Sequence, residues 1–188
     1  MKPTRTVAIA LALYLGLAGQ CAIAVPLDFE AFTDSFPLTN EITGLAFSGA
    51  TVLTAGVGLN EIDYPPSSGI NAVAALLGSL TISADDPFNQ FSAYFTFDEQ
   101  LTFSGFDVVG SLLLSFDSPT SSNLGSNSLI GFAAPGISSL VITTQGGTPF
   151  TLDDLNITVS ASVPEPGTLA LLPLGALAAA VMRRRRIG

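Results

Sequence analysis

The chain has 188 residues with fifteen acidic against six basic side chains, no histidine and a formal net charge of −9. All six bases sit near the ends (Lys2, Arg5 and Arg183 to Arg186), so residues 25–163 carry fourteen acids and no base, a formal charge of −14. Such a segment repels phosphate backbones, which excludes nucleic acid as a partner, and it lacks the usual neutral-pH general base and the commonest nitrogen ligand for zinc. Hard cations bound through oxygen are the charged partners this composition permits.

In chain order, residues 1–24 read as a secretory signal peptide. Lys2 and Arg5 precede an apolar run, Val7 to Ala18, and Ala22-Ile23-Ala24 forms a small-x-small cleavage site with the cut before Val25. About twelve apolar residues are short for a membrane span. The single cysteine, Cys21, falls inside this segment, and Gln20 stands where a lipidated cysteine needs a small neighbour. The domain that follows, residues 25–160, therefore has no disulfide. Its stability must come from a core, for which thirteen phenylalanines between residues 29 and 150 supply material.

Residues 25–160 alternate short apolar-polar runs with Gly, Pro and Asn clusters, which predicts an all-β fold: a two-sheet sandwich of about nine to eleven strands. Candidate strands are 27–32, 42–48, 80–83, 91–97, 101–104, 112–116, 129–133, 140–144 and 150–159. In 91–97 the odd positions, Phe91, Ala93, Phe95 and Phe97, are all apolar and form one buried face. Leu112-Leu113-Leu114 reads as buried on both sides, and residues 71–77, rich in alanine, as a helical turn. Breaks fall at 64–69, Asp85-Asp86-Pro87, 118–128 and 145–149. In the last strand the apolar face changes parity, from Phe150 and Leu152 to Leu155, Ile157 and Val159. A strand cannot change face without an extra residue, so a β-bulge is expected at Asp153-Asp154.

Residues 161–188 form a linker and a tail. Small polar residues lead into Val163-Pro164-Glu165-Pro166, where two prolines hold the chain extended. The apolar run 167–182 follows, about 24 Å long as a helix at ~1.5 Å per residue, and reads as a single transmembrane helix. Arg183, Arg184, Arg185 and Arg186 then form a basic stop that the positive-inside rule places in the cytoplasm. Proline-flanked glutamate, short span and terminal arginine cluster together resemble the PEP-CTERM sorting tail of Gram-negative envelope proteins. The resemblance implies an exosortase-like membrane peptidase as partner, an intermediate anchored in the inner membrane, and removal of the span. The mature protein then goes to the cell surface or extracellular matrix.

More loosely, the segments Leu59-Asn60, Tyr64 to Gly69, 91–97 and 150–155 resemble the jelly-roll-like β-sandwiches of carbohydrate-binding modules. In such modules a structural calcium often ties an early loop to the last strand. Asp28, Glu30, Glu41, Asp153 and Asp154 are the acids that suit it, since carboxylate oxygens are calcium's preferred ligands; solvated turn and bulge residues would show the same pattern. Asn60, Glu61, Asp63 and Tyr64 place amide, acids and an aromatic ring in one loop, the groups a sugar site uses, or else a proline-rich structural turn. No Asp-x-Asp-x-Asp-Gly calcium loop is present, and Ser-His-Asp chemistry and Gly-x-Ser-x-Gly are absent. The expectation is a non-enzymatic, exported surface or matrix protein associated with extracellular polysaccharide or biofilm. A carbohydrate-binding module with structural calcium and a simply membrane-anchored envelope protein are the alternatives.

Overall fold

The computed structural model describes residues 26–159. The signal segment with its cut at Ala22, Ala24 and Val25, the linker, the span 167–182 and the arginine stop 183–186 lie outside the described residues.

Nine strands and no helix make up the described residues, so the all-β expectation holds. They are β1 (Phe36–Leu38), β2 (Leu45–Ser48), β3 (Ala50–Thr54), β4 (Asn71–Ala75), β5 (Ser79–Phe97), β6 (Leu101–Phe106), β7 (Leu112–Asp117), β8 (Ser128–Thr144) and β9 (Phe150–Val159). Hydrogen bonds join them in the order β1-β3-β4-β9-β5-β8-β6-β7, with β2 on β5, and every strand pair is antiparallel. The last strand thus lies in the middle of the path. Among the described residues no helix is long and apolar enough to cross a membrane.

The long ribbon formed by β5 and β8 sets the architecture. Each strand carries a proline inside it, Pro87 and Pro135, which has no N–H to give to the ladder. Pairing runs to Ser83–Ser139, resumes at Phe88–Ile137 and shifts again before Gln90–Ala133. These shifts in register let the ribbon bend there. Before the bend β5 has β2 beside it; after the bend β9 takes that side.

The bend is sharp enough to bring the two halves face to face. Leu80 and Phe95 are fifteen residues apart on β5, about 50 Å along a straight strand at ~3.3 Å per residue. Phe103 joins the Leu80 end of the ribbon through Ile142, yet its ring lies 5.4 Å from that of Phe95, edge to face. Phe116 of β7 meets Phe132 in the other half at 5.7 Å. The sheet is folded into a sandwich. Phe91, Phe95, Phe97, Phe150 and Leu152 face Leu80, Ile82, Leu101, Phe103 and Ile142 across a core in which each is no more than 2% exposed.

The odd-position face of 91–97 is buried as the alternation requires. Three expectations need correction. The triple leucine is not buried on both sides: β7 ends the strand path with only β6 beside it, and Leu112 and Leu113 are 58% and 46% exposed. Residues 71–75 are a strand between β3 and β9, not a helical turn. Alanine's helix preference yields to burial on both faces, with Val73 and Ala75 in the main core and Ala72 and Ala74 in a second cluster with Leu53 and Leu59. Residues 27–32 contribute a single bridge, Leu27 to Leu155.

Candidate functional site

The bulge forms where the parity switch demands it. Between the pairs Ser92–Asn156 and Tyr94–Asp153, β9 holds one residue more than β5, and Asp154 has φ of 50°, a conformation its short polar side chain tolerates. The bulge is an anchor for the loop before β4. Asp153 is 2% exposed, and its Oδ2 accepts the N–H groups of Ser67 (2.7 Å) and Ser68 (2.9 Å) while Oδ1 accepts that of Asp154 (2.7 Å). The Ser68 hydroxyl donates to Asp154 Oδ1 at 2.7 Å. Glu30 holds the far end of the same loop, accepting the N–H groups of Ile70 (2.9 Å) and Asn71 (2.8 Å).

These bonds, with the paired Leu27–Leu155 hydrogen bonds of 2.8 and 3.0 Å, tie the early chain to the last strand directly. Of the five acids suited to calcium, Glu30, Asp153 and Asp154 meet at this loop but point their oxygens at amides and a hydroxyl. Asp28 accepts the Glu30 N–H (3.2 Å), and Glu41 closes its own turn by accepting from Thr39 and Asn40. Among the described residues no group of three or more acids, histidines or cysteines is arranged to hold a metal ion.

The loop suited to sugar binding is likewise spent on itself. Asn60 Nδ2 donates to Asp63 Oδ2 (2.7 Å), Asn60 Oδ1 accepts the Ile62 N–H (3.2 Å) and Glu61 accepts the Gly56 N–H (2.8 Å). Tyr64 packs against the second apolar cluster, and burial together with the nearby Asp98 and Asp63 charges raises its phenol pKa. It is a lid on that cluster, not an open aromatic plate.

An open polar surface lies instead on the outer face of β9, β5 and β8. Because Phe91 and Ala93 point inward, Gln90 and Ser92 point outward, and register completes two cross-strand rows: Thr158–Gln90–Ala133 and Asn156–Ser92–Gly131. The rows line a shallow groove of about 380 Å³. Its floor is low at Gly131, where an added Cβ would come within 2.8 Å of the Phe91 carbonyl oxygen and 2.9 Å of Ser92 Cβ. One row further, Tyr94 pairs with Leu129, which is 61% exposed, and with Asp153 beneath the anchored loop. Among the described residues, no hydrogen bond engages the side chains of Gln90, Ser92, Asn156 or Thr158, so two amides and two hydroxyls are free to bind. None of the residues lining the groove is titratable.

Residues 162–186 match the family model of the PEP-CTERM protein-sorting motif, which bears out the resemblance of the tail. No curated protein matches the chain. Similar solved structures include TmCBM61 in complex with β-1,4-galactotriose (11% identity, 64% of this chain and 92% of that one, TM-score 0.41). Others are the CBM22-1–CBM22-2 tandem domain of Paenibacillus barcinonensis Xyn10C (14%, 80% and 50%, 0.44) and the Stig cyclase Fisc from Fischerella sp. TAU (13%, 74% and 98%, 0.42). With TM-scores below 0.5, none of these likenesses transfers a ligand or an activity to this chain.

Burial, opposed by its three N–H bonds, pushes the Asp153 carboxyl up from 3.8 to about 6. Between those pH values the folded protein keeps a proton that the unfolded chain has lost, so this group's contribution to stability falls as pH rises from about 4 to 6. Asp34 and Glu41, held low chiefly by backbone N–H bonds from Thr54 and Thr39, act in the opposite sense and are common to wild type and variant. Asp153→Asn therefore should narrow its melting-temperature deficit as pH rises from 4 to 7. Thermal melts that stay parallel over that range would contradict the assignment.

Proposed function

We propose that this is a non-enzymatic, exported surface protein, sorted through its C-terminal tail, whose β-sandwich lays a neutral polysaccharide across the outer face of β9, β5 and β8. The observation that carries the ligand reading is the pair of uncharged cross-strand rows whose four polar side chains are not engaged by the protein. Amides offer both donors and acceptors to vicinal hydroxyls, and hydroxyls adapt to either role. Tyr94 and Leu129 extend the face with apolar surface, as the partly apolar face of a sugar ring requires.

The non-enzymatic reading has its own support. General acid-base chemistry needs titratable groups within reach of the substrate, and the groove lining has none. The sorting motif at 162–186 supports export, anchoring through the tail and then display at the surface. In this reading Glu165 between Pro164 and Pro166 is what an exosortase-like peptidase recognises, with the arginines as a temporary brake. Release into or attachment to extracellular polysaccharide would follow. The bent β5–β8 ribbon, with the last strand placed inside the sheet path, supports a jelly-roll description of the sandwich.

Gln90→Ala combined with Asn156→Ala should remove two neutral hydrogen bonds of about 1 kcal/mol each and weaken binding roughly 30-fold. Calorimetric titration with neutral hexasaccharides of glucose, galactose and xylose reads this, and an unchanged melting temperature verifies the fold. Wild-type affinity in the double variant would remove the groove from the account. For the tail, Glu165→Ala should leave the full-length, membrane-associated form accumulating on immunoblots of fractionated cells; normal shortening would mean the motif is not what the peptidase reads.

A further inference from the structure

The strand path has two ends, and they are built differently. β1 is three residues long and carries Pro37, which has no N–H to offer, so it is a poor template for a further strand. β7 has six residues and no proline, and among the described residues it pairs only with β6. From Val108 to Phe116 the chain carries no charge. Val108 and Val109, in the turn before β7, are almost fully exposed and continue the apolar surface of Leu112 and Leu113.

The hairpin's own hydrogen bonds decide which groups of β7 are left over. The Ser118 N–H donates to the Leu101 carbonyl at 2.8 Å, and backbone direction alternates along an antiparallel strand. Leu114 and Phe116 therefore bond toward β6, whereas Ser115 and Asp117 turn their N–H and C=O to the free edge. The side chains of Leu114 and Phe116 pack against the core but stay partly exposed at its side. The acids flanking the run are engaged within the hairpin: Asp107 accepts the N–H groups of Val109 and Ser111, and Asp117 Oδ1 accepts the Thr102 hydroxyl at 2.7 Å.

A strand that completes this edge must set apolar side chains beside Leu114 and Phe116 and bring no acid against Asp117. β7 itself meets both conditions. Turned antiparallel about Ser115, it places Leu114 opposite Phe116, Ser115 opposite its own counterpart and Asp117 opposite Leu113. Two domains whose only charged side chains are acids repel each other, so they can join only where the contact keeps those acids apart. We infer that the β7 edge is the docking surface for a second copy of this chain, the two strands pairing antiparallel about a two-fold axis at Ser115. The sheet then runs on from one domain into the next, and each copy covers the open side of the other's core at Leu114 and Phe116. One strand pair is a small contact against the ~1,600 Å² of a standard interface, so the dimer is weak and forms as concentration rises.

Sedimentation velocity of the exported protein, over roughly 1 μM to 1 mM, tests this. A reversible monomer–dimer equilibrium is expected, strengthened by salt because screening relieves the repulsion between acidic domains. Ser115→Pro removes an N–H that β6 does not use, and Leu113→Asp sets an acid opposite Asp117 of the second copy. Each should weaken dimerisation at least about tenfold. Leu113→Lys sets an ammonium opposite the same carboxylate and should dimerise at least as tightly as the wild type. A wild type that stays monomeric throughout overturns the inference, as does a dimer indifferent to Leu113→Asp. Leu113→Lys dimerising as poorly as Leu113→Asp overturns the pairing about Ser115. Thermal melts verify the fold of each variant, and if Ser115→Pro unfolds, the two substitutions at the exposed Leu113 decide the matter.

Discussion

Between residues 26 and 159 no side chain carries a positive charge, so every carboxylate that needs a partner must find it in an amide, of backbone or side chain, or in a hydroxyl. That constraint shapes the acids one by one. Asp153 and Glu30 pin opposite ends of the loop before β4 through N–H donors, Asp34 accepts the Thr54 N–H at 2.8 Å, and Asp107 accepts those of Val109 and Ser111. Hydrogen bonds from amides and hydroxyls satisfy these oxygens without a counter-ion, and a surface salt bridge in their place would be worth little. The domain therefore loses little stability by carrying no bases. Its only charged side chains are acids, which repel other polyanions.

The outer-face groove holds none of these acids: Gln90, Ser92, Asn156 and Thr158 leave it lined by uncharged amides and hydroxyls, which solvent satisfies on an open sheet face. The bent ribbon puts the pieces in place. By bending at Pro87 and Pro135 it buries phenylalanines between its halves and leaves Gln90 and Ser92 facing outward beside β9.

Much of the fold was legible in local pattern. Alternation in 91–97 identified both the buried face and, by complement, the outer one. The parity switch between Leu152 and Leu155 located the bulge to within one residue: Asp153-Asp154 was expected, and Asp154 and Leu155 are the pair that stands opposite Ala93. What was not legible depends on neighbours distant in sequence. Leu112 to Leu114 are as apolar as any core strand, and only the strand order reveals that β7 is an edge. Ala72, Ala74 and Ala75 read as helix until burial on both faces decides otherwise. The groove combines residues near 90, 131 and 157, whose register is defined only once the proline bends are known. By contrast, the Asn60 to Tyr64 loop had the right residue types for a sugar site, but its side chains are committed to the loop itself and to the cluster under Tyr64.

The central claim, neutral polysaccharide held by hydrogen bonds on an uncharged face, is tested most directly by titrating the exported protein with a neutral and a uronic-acid polysaccharide. Each titration is run in calcium and in chelator, at low and high salt. The account predicts saturable binding to a neutral polymer that neither chelation nor salt alters, because no ion takes part in the contact. Binding confined to the uronic-acid polymer and abolished by chelator would contradict it, and would make calcium bridging through the acidic surface the basis of association.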